Sequence, residues 1–184
     1  MQELSDESLM HRIAGGDREA FRILVRRHSA PAAGFARRMV GGEADAEEVV
    51  QEALLRVWVN APRWRPLASF RTWFYRIVLN LCLSRRRKPV PLSLDAAEDV
   101  ADTALGPAEH FEREERDRRI AEAIAALPER QRAAIVLTYR EGLSNAEVAA
   151  IVDTSVSGVE TLLVRARRTL RSKLGSDVSE GNED

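Results

Sequence analysis

An all-α chain of two small helical units, joined by a flexible acidic linker, is the fold the sequence predicts. Three observations carry that expectation. Ala, Leu, Arg and Glu dominate, aromatic residues make up only 5%, and no long β-branched alternating run occurs, so helix is favoured throughout. Apolar residues recur at helical spacing in one stretch after another. The third observation is charge. Residues 1–88 hold sixteen Lys and Arg against ten Asp and Glu, residues 89–111 hold five acids and no base, residues 112–174 are again slightly positive, and residues 175–184 carry four acids. A net charge of only −1 therefore conceals two basic blocks, each a plausible polyanion-binding unit, with an acidic joint between them. The predicted units are 1–88 and 112–174, with 89–111 a mobile linker containing three prolines and 175–184 a disordered tail.

The first unit opens with a helix from Ser5 to Gly15 that carries Leu9, Met10 and Ile13. Gly15-Gly16-Asp17 ends it and caps the next helix, which sets Ala20, Phe21, Leu24 and Val25 against Arg18, Arg22 and Arg26. Pro31 is expected to interrupt that helix or open another turn, after which Phe35, Met39 and Val40 continue to the Gly41-Gly42 break. From Asp45 to Trp58, residues Val49, Val50, Ala53, Leu54, Val57 and Trp58 form a wide core stripe. Leu55 and Val59 project from the other face among Glu48, Gln51 and Glu52. Exposed aliphatics ringed by acids suit a docking surface for a basic partner; a solvated acidic face with two incidental aliphatics fits the same pattern.

Pro62 and Pro66 bracket a loop, and Ser69 caps a helix from Phe70 to Ser84 that ends in Arg85-Arg86-Arg87-Lys88. Phe70, Phe74, Ile77 and Leu81 face the core. Trp64, Trp73 and Tyr75 stand among Arg63, Arg65, Arg71 and Arg76. Rings take the faces of unstacked bases and guanidiniums take phosphates, so this grouping suits single-stranded nucleic acid, while a plain core role for the aromatics competes with it.

In the second unit, Glu112 to Leu127 reads as a helix with Ile120, Ala123, Ile124 and Leu127 on one side, and Pro128 starts the next. Ser144 and Glu147 have capping-box spacing ahead of Val148, Ala149, Ile151 and Val152. After Asp153-Thr154-Ser155, with Ser155 a second N-cap, the last helix places Val156, Val159, Leu163, Ala166 and Leu170 on one face and Thr161, Val164, Arg165 and Arg168 on the other. Helix, tight turn and a second helix with an exposed basic face match a helix-turn-helix; an αα-hairpin with a solvated basic face satisfies the same spacing.

No catalytic constellation stands out. His11, His28 and His110 are isolated from one another and from Cys82, and no pair has metal-ligand spacing. Asp45, Glu47, Glu48 and Glu52 offer carboxylates, but the Glu-x-x-His partners of helical-bundle metal sites are missing. Neither a phosphate-binding glycine loop nor a nucleophile elbow occurs. No cofactor or metal is expected. No apolar run approaches the ~20 residues of a membrane span. The acidic, polar N-terminus is unlike a secretory signal, and one cysteine leaves no internal disulfide, so a cytoplasmic setting is expected.

These blocks resemble a known family. Asp45 to Trp58, Phe70 to Asn80 and the basic end Ser84 to Lys88 look like region 2 of bacterial extracytoplasmic-function sigma factors, of the sigma-70 family. Leu127 to Arg132, Glu141 to Ala149 and Val164 to Leu170 look like region 4, in the family's order. The resemblance implies a non-enzymatic initiation subunit that binds core RNA polymerase through the β′ clamp helices and the β flap. It implies a core-binding face of Asp45, Glu48, Gln51, Glu52 and Leu55. It implies −10 contacts from Ser69, Arg71, Thr72, Tyr75, Arg76, Arg85, Arg86 and Arg87, and −35 contacts from Glu160, Thr161, Val164, Arg165 and Arg168. It also implies an anti-sigma factor that holds the protein inactive, in some cases at the membrane, and a stress or envelope regulon.

Two departures from the family pattern bear on promoter choice. Glu160 and Leu162 stand where many members carry basic residues, and Asp153 stands where a turn glycine is common. Glutamate repels phosphates yet can accept from cytosine N4, and aspartate tolerates left-handed geometry. Three other readings remain open on the residues alone: a stand-alone helix-turn-helix regulator, a helical-bundle enzyme with carboxylate metal ligands, and an inhibitory or scaffold protein that binds polymerase without DNA.

Overall fold

The computed structural model describes residues 4–86 and 107–175. These form eight α-helices and a single 3-10 turn, with no strand among the described residues. The first unit holds α1 (Asp6–Ala14), α2 (Arg18–Val40), α3 (Glu43–Asn60) and α4 (Phe70–Arg86), with the 3-10 turn at Ala61–Arg63 after α3. The second holds α5 (Pro107–Ala125), α6 (Glu129–Tyr139), α7 (Asn145–Val152) and α8 (Val156–Gly175).

Local chemistry sets most of the boundaries. Ser5 caps α1 by accepting from the Ser8 N–H. Asp17 caps α2 by accepting from the N–H groups of Glu19 and Ala20 at 2.9 and 3.0 Å, as its place after the two glycines predicts. Gly41 ends α2 at φ 90°, a left-handed C-cap that a β-carbon would strain.

The interruption expected at Pro31 does not occur, because α2 runs unbroken from Arg18 to Val40. A proline inside a helix removes one backbone hydrogen bond and costs about 3 kcal/mol. The core offsets that cost: Leu24 and His28 before Pro31, and Ala32, Phe35, Ala36 and Met39 after it, are all buried on the same side. A helix spanning the whole bundle keeps both halves of that stripe against α1, α3 and α4. At the other end of the linker, α5 begins at Pro107 rather than at Glu112. Proline suits a first helical position, where its missing N–H would have had no partner. The rest of the expected linker, and residues 176–184 of the expected tail, lie outside the described residues.

The first core is built on rings. Phe35 meets Tyr75 edge-on at 5.4 Å between centroids, and Phe70 stacks on Phe74 at 5.6 Å. Each fully buried side chain of this size contributes about 1.5–3 kcal/mol. Phe70 and Phe74 face the core as their spacing predicts, but Ile77 and Leu81 are only partly covered, and Tyr75, Val78, Leu79 and Cys82 are buried instead. α4 is covered from two directions, by α2 and α3 on one side and by α7 of the second unit on the other. That second cover is what periodicity within α4 alone does not reveal.

In the second unit α6 is buried almost all round, from Arg132 to Leu137, because α7, α8 and α2 all pack on it. Arg132, 4% exposed, ties the units together. Its guanidinium donates to the carbonyls of Met39 at the end of α2, at 3.0 Å, of Leu127, also at 3.0 Å, and of Ala125 at the end of α5. A cation among C-terminal helix carbonyls satisfies acceptors that have no partner within their own helices.

Candidate nucleic-acid interface

The outer face of α3 is as the sequence predicts. Leu55 is 56% exposed and Val59 63%, far above an ordinary core residue, and Glu48, Gln51 and Glu52 are exposed around them. Glu52 pairs with Arg56 at 2.9 Å one turn on. Asp45 sits at the upper end of this face and pairs with Arg85 at 2.8 Å, and Arg85 also holds Glu48. Arg85, expected with the −10 group, is therefore drawn to the acidic end of α3. The hydrogen bond that Arg85 donates to Glu48, with help from Asp45, holds the guanidinium proton more tightly than usual. Arg86 lies in the last turn of α4, and Arg87 lies outside the described residues.

The start of α4 forms the second surface. Ser69 accepts from the Thr72 N–H at 3.2 Å, and the Phe70 N–H goes to the Glu7 carboxylate of α1 at 3.3 Å, so two side chains satisfy the helix N-terminus. Trp64 and Trp73 meet at 6.2 Å and are both partly buried, beside a loop in which Leu67 is 94% exposed. Arg71 stacks its guanidinium 5.6 Å from the Tyr75 ring centre. Thr72 and Tyr75, expected as DNA contacts, are 5% and 1% exposed, whereas Arg76 is open to solvent.

The second unit covers that surface. Glu141, the residue after the C-cap of α6, accepts from the Tyr75 hydroxyl. Its carboxylate lies 3.6 Å from Arg71, and its carbonyl accepts from the same guanidinium. Burial and the Glu141 carboxylate push the Tyr75 phenol far above its usual range. Arg76 lies 3.8 Å from Asp153.

The third surface is the helix-turn-helix. Ser144 and Glu147 make a complete capping box, with bonds of 3.3 and 2.9 Å between each side chain and the other's backbone N–H. Val148, Ala149, Ile151 and Val152 are buried as expected. Asp153 takes φ 55°, ψ 63°, so aspartate does serve as the left-handed turn residue. Ser155 caps α8 by accepting from the Gly158 N–H at 3.1 Å. Val159, Leu163 and Ala166 are buried and Leu162 packs partly against them, while Glu160, Thr161, Val164, Arg165 and Arg168 point to solvent. The Thr161 hydroxyl donates to the Ser157 carbonyl at 2.9 Å, so it is taken up within the helix.

Two residues at this turn were not singled out from sequence. Arg130 donates to the carbonyls of Val152 and Asp153 at 2.7 and 3.0 Å and clamps the turn from α6. A β-carbon on Gly158 would lie 2.4 Å from Thr154 Oγ1, so the close approach of α8 to the turn requires glycine. A glycine two residues into an amphipathic helix was the available signal.

Of the histidines, His28 is buried and bonded to Asp6 at 2.7 Å. Burial raises the Asp6 carboxyl, but hydrogen bonds from His28 and Arg27 outweigh it and hold the group below its usual value. Cys82 is buried, and burial pushes its thiol up to about 12, which leaves almost no thiolate at neutral pH. No helix among the described residues is long and apolar enough to cross a membrane.

Comparison with known proteins adds to this geometry. The family model for sigma-70 region 2 matches residues 24–89, and that for sigma-70 region 4 matches residues 117–170. The chain is 31% identical to the ECF RNA polymerase sigma-E factor of Haemophilus influenzae, over 94% of this chain and 97% of that protein. It is 32% identical to the ECF RNA polymerase sigma-E factor of Escherichia coli K12, over 94% and 96%. Among solved structures, CnrH in complex with the cytosolic domain of CnrY superposes with a TM-score of 0.72 at 31% identity, covering 94% of this chain and 98% of that one. The fold is also that of RpoE of Bartonella quintana, solved with the anti-sigma factor NepR, at TM-score 0.69 and 22% identity over 85% of this chain and 98% of that one.

Proposed function

The chain belongs to the extracytoplasmic-function RNA polymerase sigma factors of the sigma-70 family, and we propose how its three surfaces divide the work of that role. As a sigma factor it binds RNA polymerase and promoter DNA and directs promoter-specific initiation. Catalysis belongs to the polymerase, and the cytoplasm is where the two meet.

The first surface, Asp45, Glu48, Gln51, Glu52 and Leu55, docks on the core enzyme. The single observation that carries this is the pair of exposed aliphatics, Leu55 and Val59, standing outside the bundle core among acids. Burial of the aliphatics supplies affinity, while the carboxylates steer a basic partner into register. A stand-alone regulator has no use for that face.

The second surface holds the −10 element as single strand, with Ser69, Arg71, Thr72, Tyr75 and Arg76, and with the basic run Arg85, Arg86 and Arg87 that follows in sequence. Arg71 and Tyr75 are engaged by Glu141 in this arrangement. Arg71 and the Tyr75 hydroxyl become available to the strand only when the second unit moves off α4, while the Tyr75 ring stays packed against Phe35. The third surface, Glu160, Thr161, Val164, Arg165 and Arg168 of α8, reads the −35 duplex in the major groove. Glu160 favours a cytosine amino group there, and Val164 and the Thr161 methyl favour a thymine methyl. The chain divides functionally at 1–88 and 112–174. An anti-sigma factor is the expected regulator, as the family resemblance implies, and it would select the closed arrangement.

The test is transcription in vitro by core polymerase on fragmented host DNA, with and without the protein. Discrete new start sites that vanish with Glu52→Lys support the assignment. Specific duplex binding by the free protein with no new starts would instead favour a stand-alone regulator.

A further inference from the structure

Where the end of α2, the start of α4 and the end of α6 meet, the two units border an open, solvent-facing cleft of about 520 Å³. Arg37 and Arg38 reach it from the last turn of α2, Arg71 from the first turn of α4, and Arg140 from the C-cap of α6. Four guanidiniums thus line it against one carboxylate, that of Glu141. Glu141 is already occupied by Tyr75 and Arg71. Arg37 pairs with Glu43 at 2.7 Å, at the turn into α3. Arg140 is exposed at the rim and has no carboxylate partner among the described residues.

Like charges gathered in a concave site repel one another and focus a field that draws in an anion. The planar guanidinium fork matches pairs of phosphate oxygens. A single carboxylate fills one or two such forks, whereas guanidiniums converging from three helices need several anionic oxygens spread along a short chain. The volume lies in the range of small-molecule sites. We propose that this cleft binds a small phosphate-rich anion of the triphosphate class, bridging the two units. Arg140 joins the other three only while the units are packed together. The anion therefore binds the closed arrangement and stabilises it by mass action, and it sequesters Arg71 as it does so. Binding itself does not rest on the polymerase role; only its consequence for transcription does.

The direct test is calorimetric titration of the full chain with inorganic triphosphate at low salt. One saturable site per chain is expected, weakened by about tenfold or more in Arg140→Ala and again in Arg37→Ala, with unchanged melting curves for both variants. Neither residue belongs to a surface assigned to polymerase or promoter. Inhibition of transcription by triphosphate that disappears in Arg140→Ala would link the site to function. If such inhibition were absent while the binding result held, the site would stand and the coupling would fall. The site itself is overturned by unsaturable binding, by equal affinity in Arg140→Ala, or by equal competition from sulfate at matched ionic strength. It is also overturned if a short single-stranded oligonucleotide displaces triphosphate and is itself weakened by Arg140→Ala. The phosphates would then be those of nucleic acid.

Discussion

Tyr75 of α4 gives its phenolic hydrogen bond to Glu141, beyond the end of α6, and so joins the two helical units at the surface proposed for the −10 strand. The same carboxylate faces Arg71 at 3.6 Å. One side chain of the second unit thereby engages two candidate DNA contacts of the first. Deprotonating Tyr75 would place two anions against each other in a partly dry site, which is why burial and Glu141 both push its pKa up.

The folded pKa of Tyr75 lies above the unfolded value of about 10. Its contribution to stability is therefore complete below pH about 10 and is lost as pH rises through the folded value. Tyr139 is the other tyrosine and is 59% exposed. In a Tyr139→Phe background, absorbance titration should show Tyr75 ionising well above the ordinary phenol. Glu141→Gln should bring that midpoint down. A midpoint at the ordinary value in the parent would contradict the contact.

Arg132 should behave as a structural tie. Arg132→Ala leaves the carbonyls of Met39, Ala125 and Leu127 without their donor in a buried place. The expected loss is about 3 kcal/mol in urea unfolding. Arg132→Lys should recover only part of it, because one ammonium cannot follow the guanidinium's fork. A loss under about 0.5 kcal/mol for alanine would show that the tie contributes little.

Gly158 offers a prediction whose sign reverses with context. Gly158→Ala should destabilise the second unit by about 1–2 kcal/mol, since the new methyl meets Thr154 Oγ1 at 2.4 Å. Thr154→Ala removes both Thr154 atoms that crowd the site. In that background Gly158→Ala should become neutral or stabilising by up to about 1 kcal/mol, the ordinary helix preference for alanine. Thermal melts of the four variants form the cycle, and equal effects in both backgrounds would refute the steric account.

Acid sensitivity should reside partly at Asp6. Its folded pKa is depressed, so its contribution is present above the unfolded value of about 3.9 and is lost as pH falls through the lower folded value. Asp6→Asn should flatten the acid limb of the stability curve while also lowering stability at neutral pH, because Arg27 and His28 lose their carboxylate. An acid limb unchanged by the substitution would place the sensitivity elsewhere.

Much of this protein is legible one helical turn at a time. Ser144 and Glu147 stand three residues apart, and the capping box forms as that spacing demands. Asp17 caps α2, Asp153 takes the left-handed turn, and Leu55, Val59, Arg165 and Arg168 are exposed where their helical phase puts them. Each of these depends on neighbours within a few residues, and such interactions survive whatever the rest of the chain does. What the tertiary structure decided depends on partners far along the chain. Tyr75 lies one turn from Arg71, yet its ring is buried against Phe35 of α2 and Phe74, and its hydroxyl is claimed by Glu141 of the second unit. Arg85 belongs by sequence to a basic run, yet Asp45 and Glu48, some forty residues earlier, claim it. Pro31 should break α2 by its own geometry, yet the buried stripe on either side of it outweighs one missing hydrogen bond. Caps and periodicity are local free energies of about 1 kcal/mol each. Burial of a whole face is a larger, non-local one, and where the two compete the packing decides.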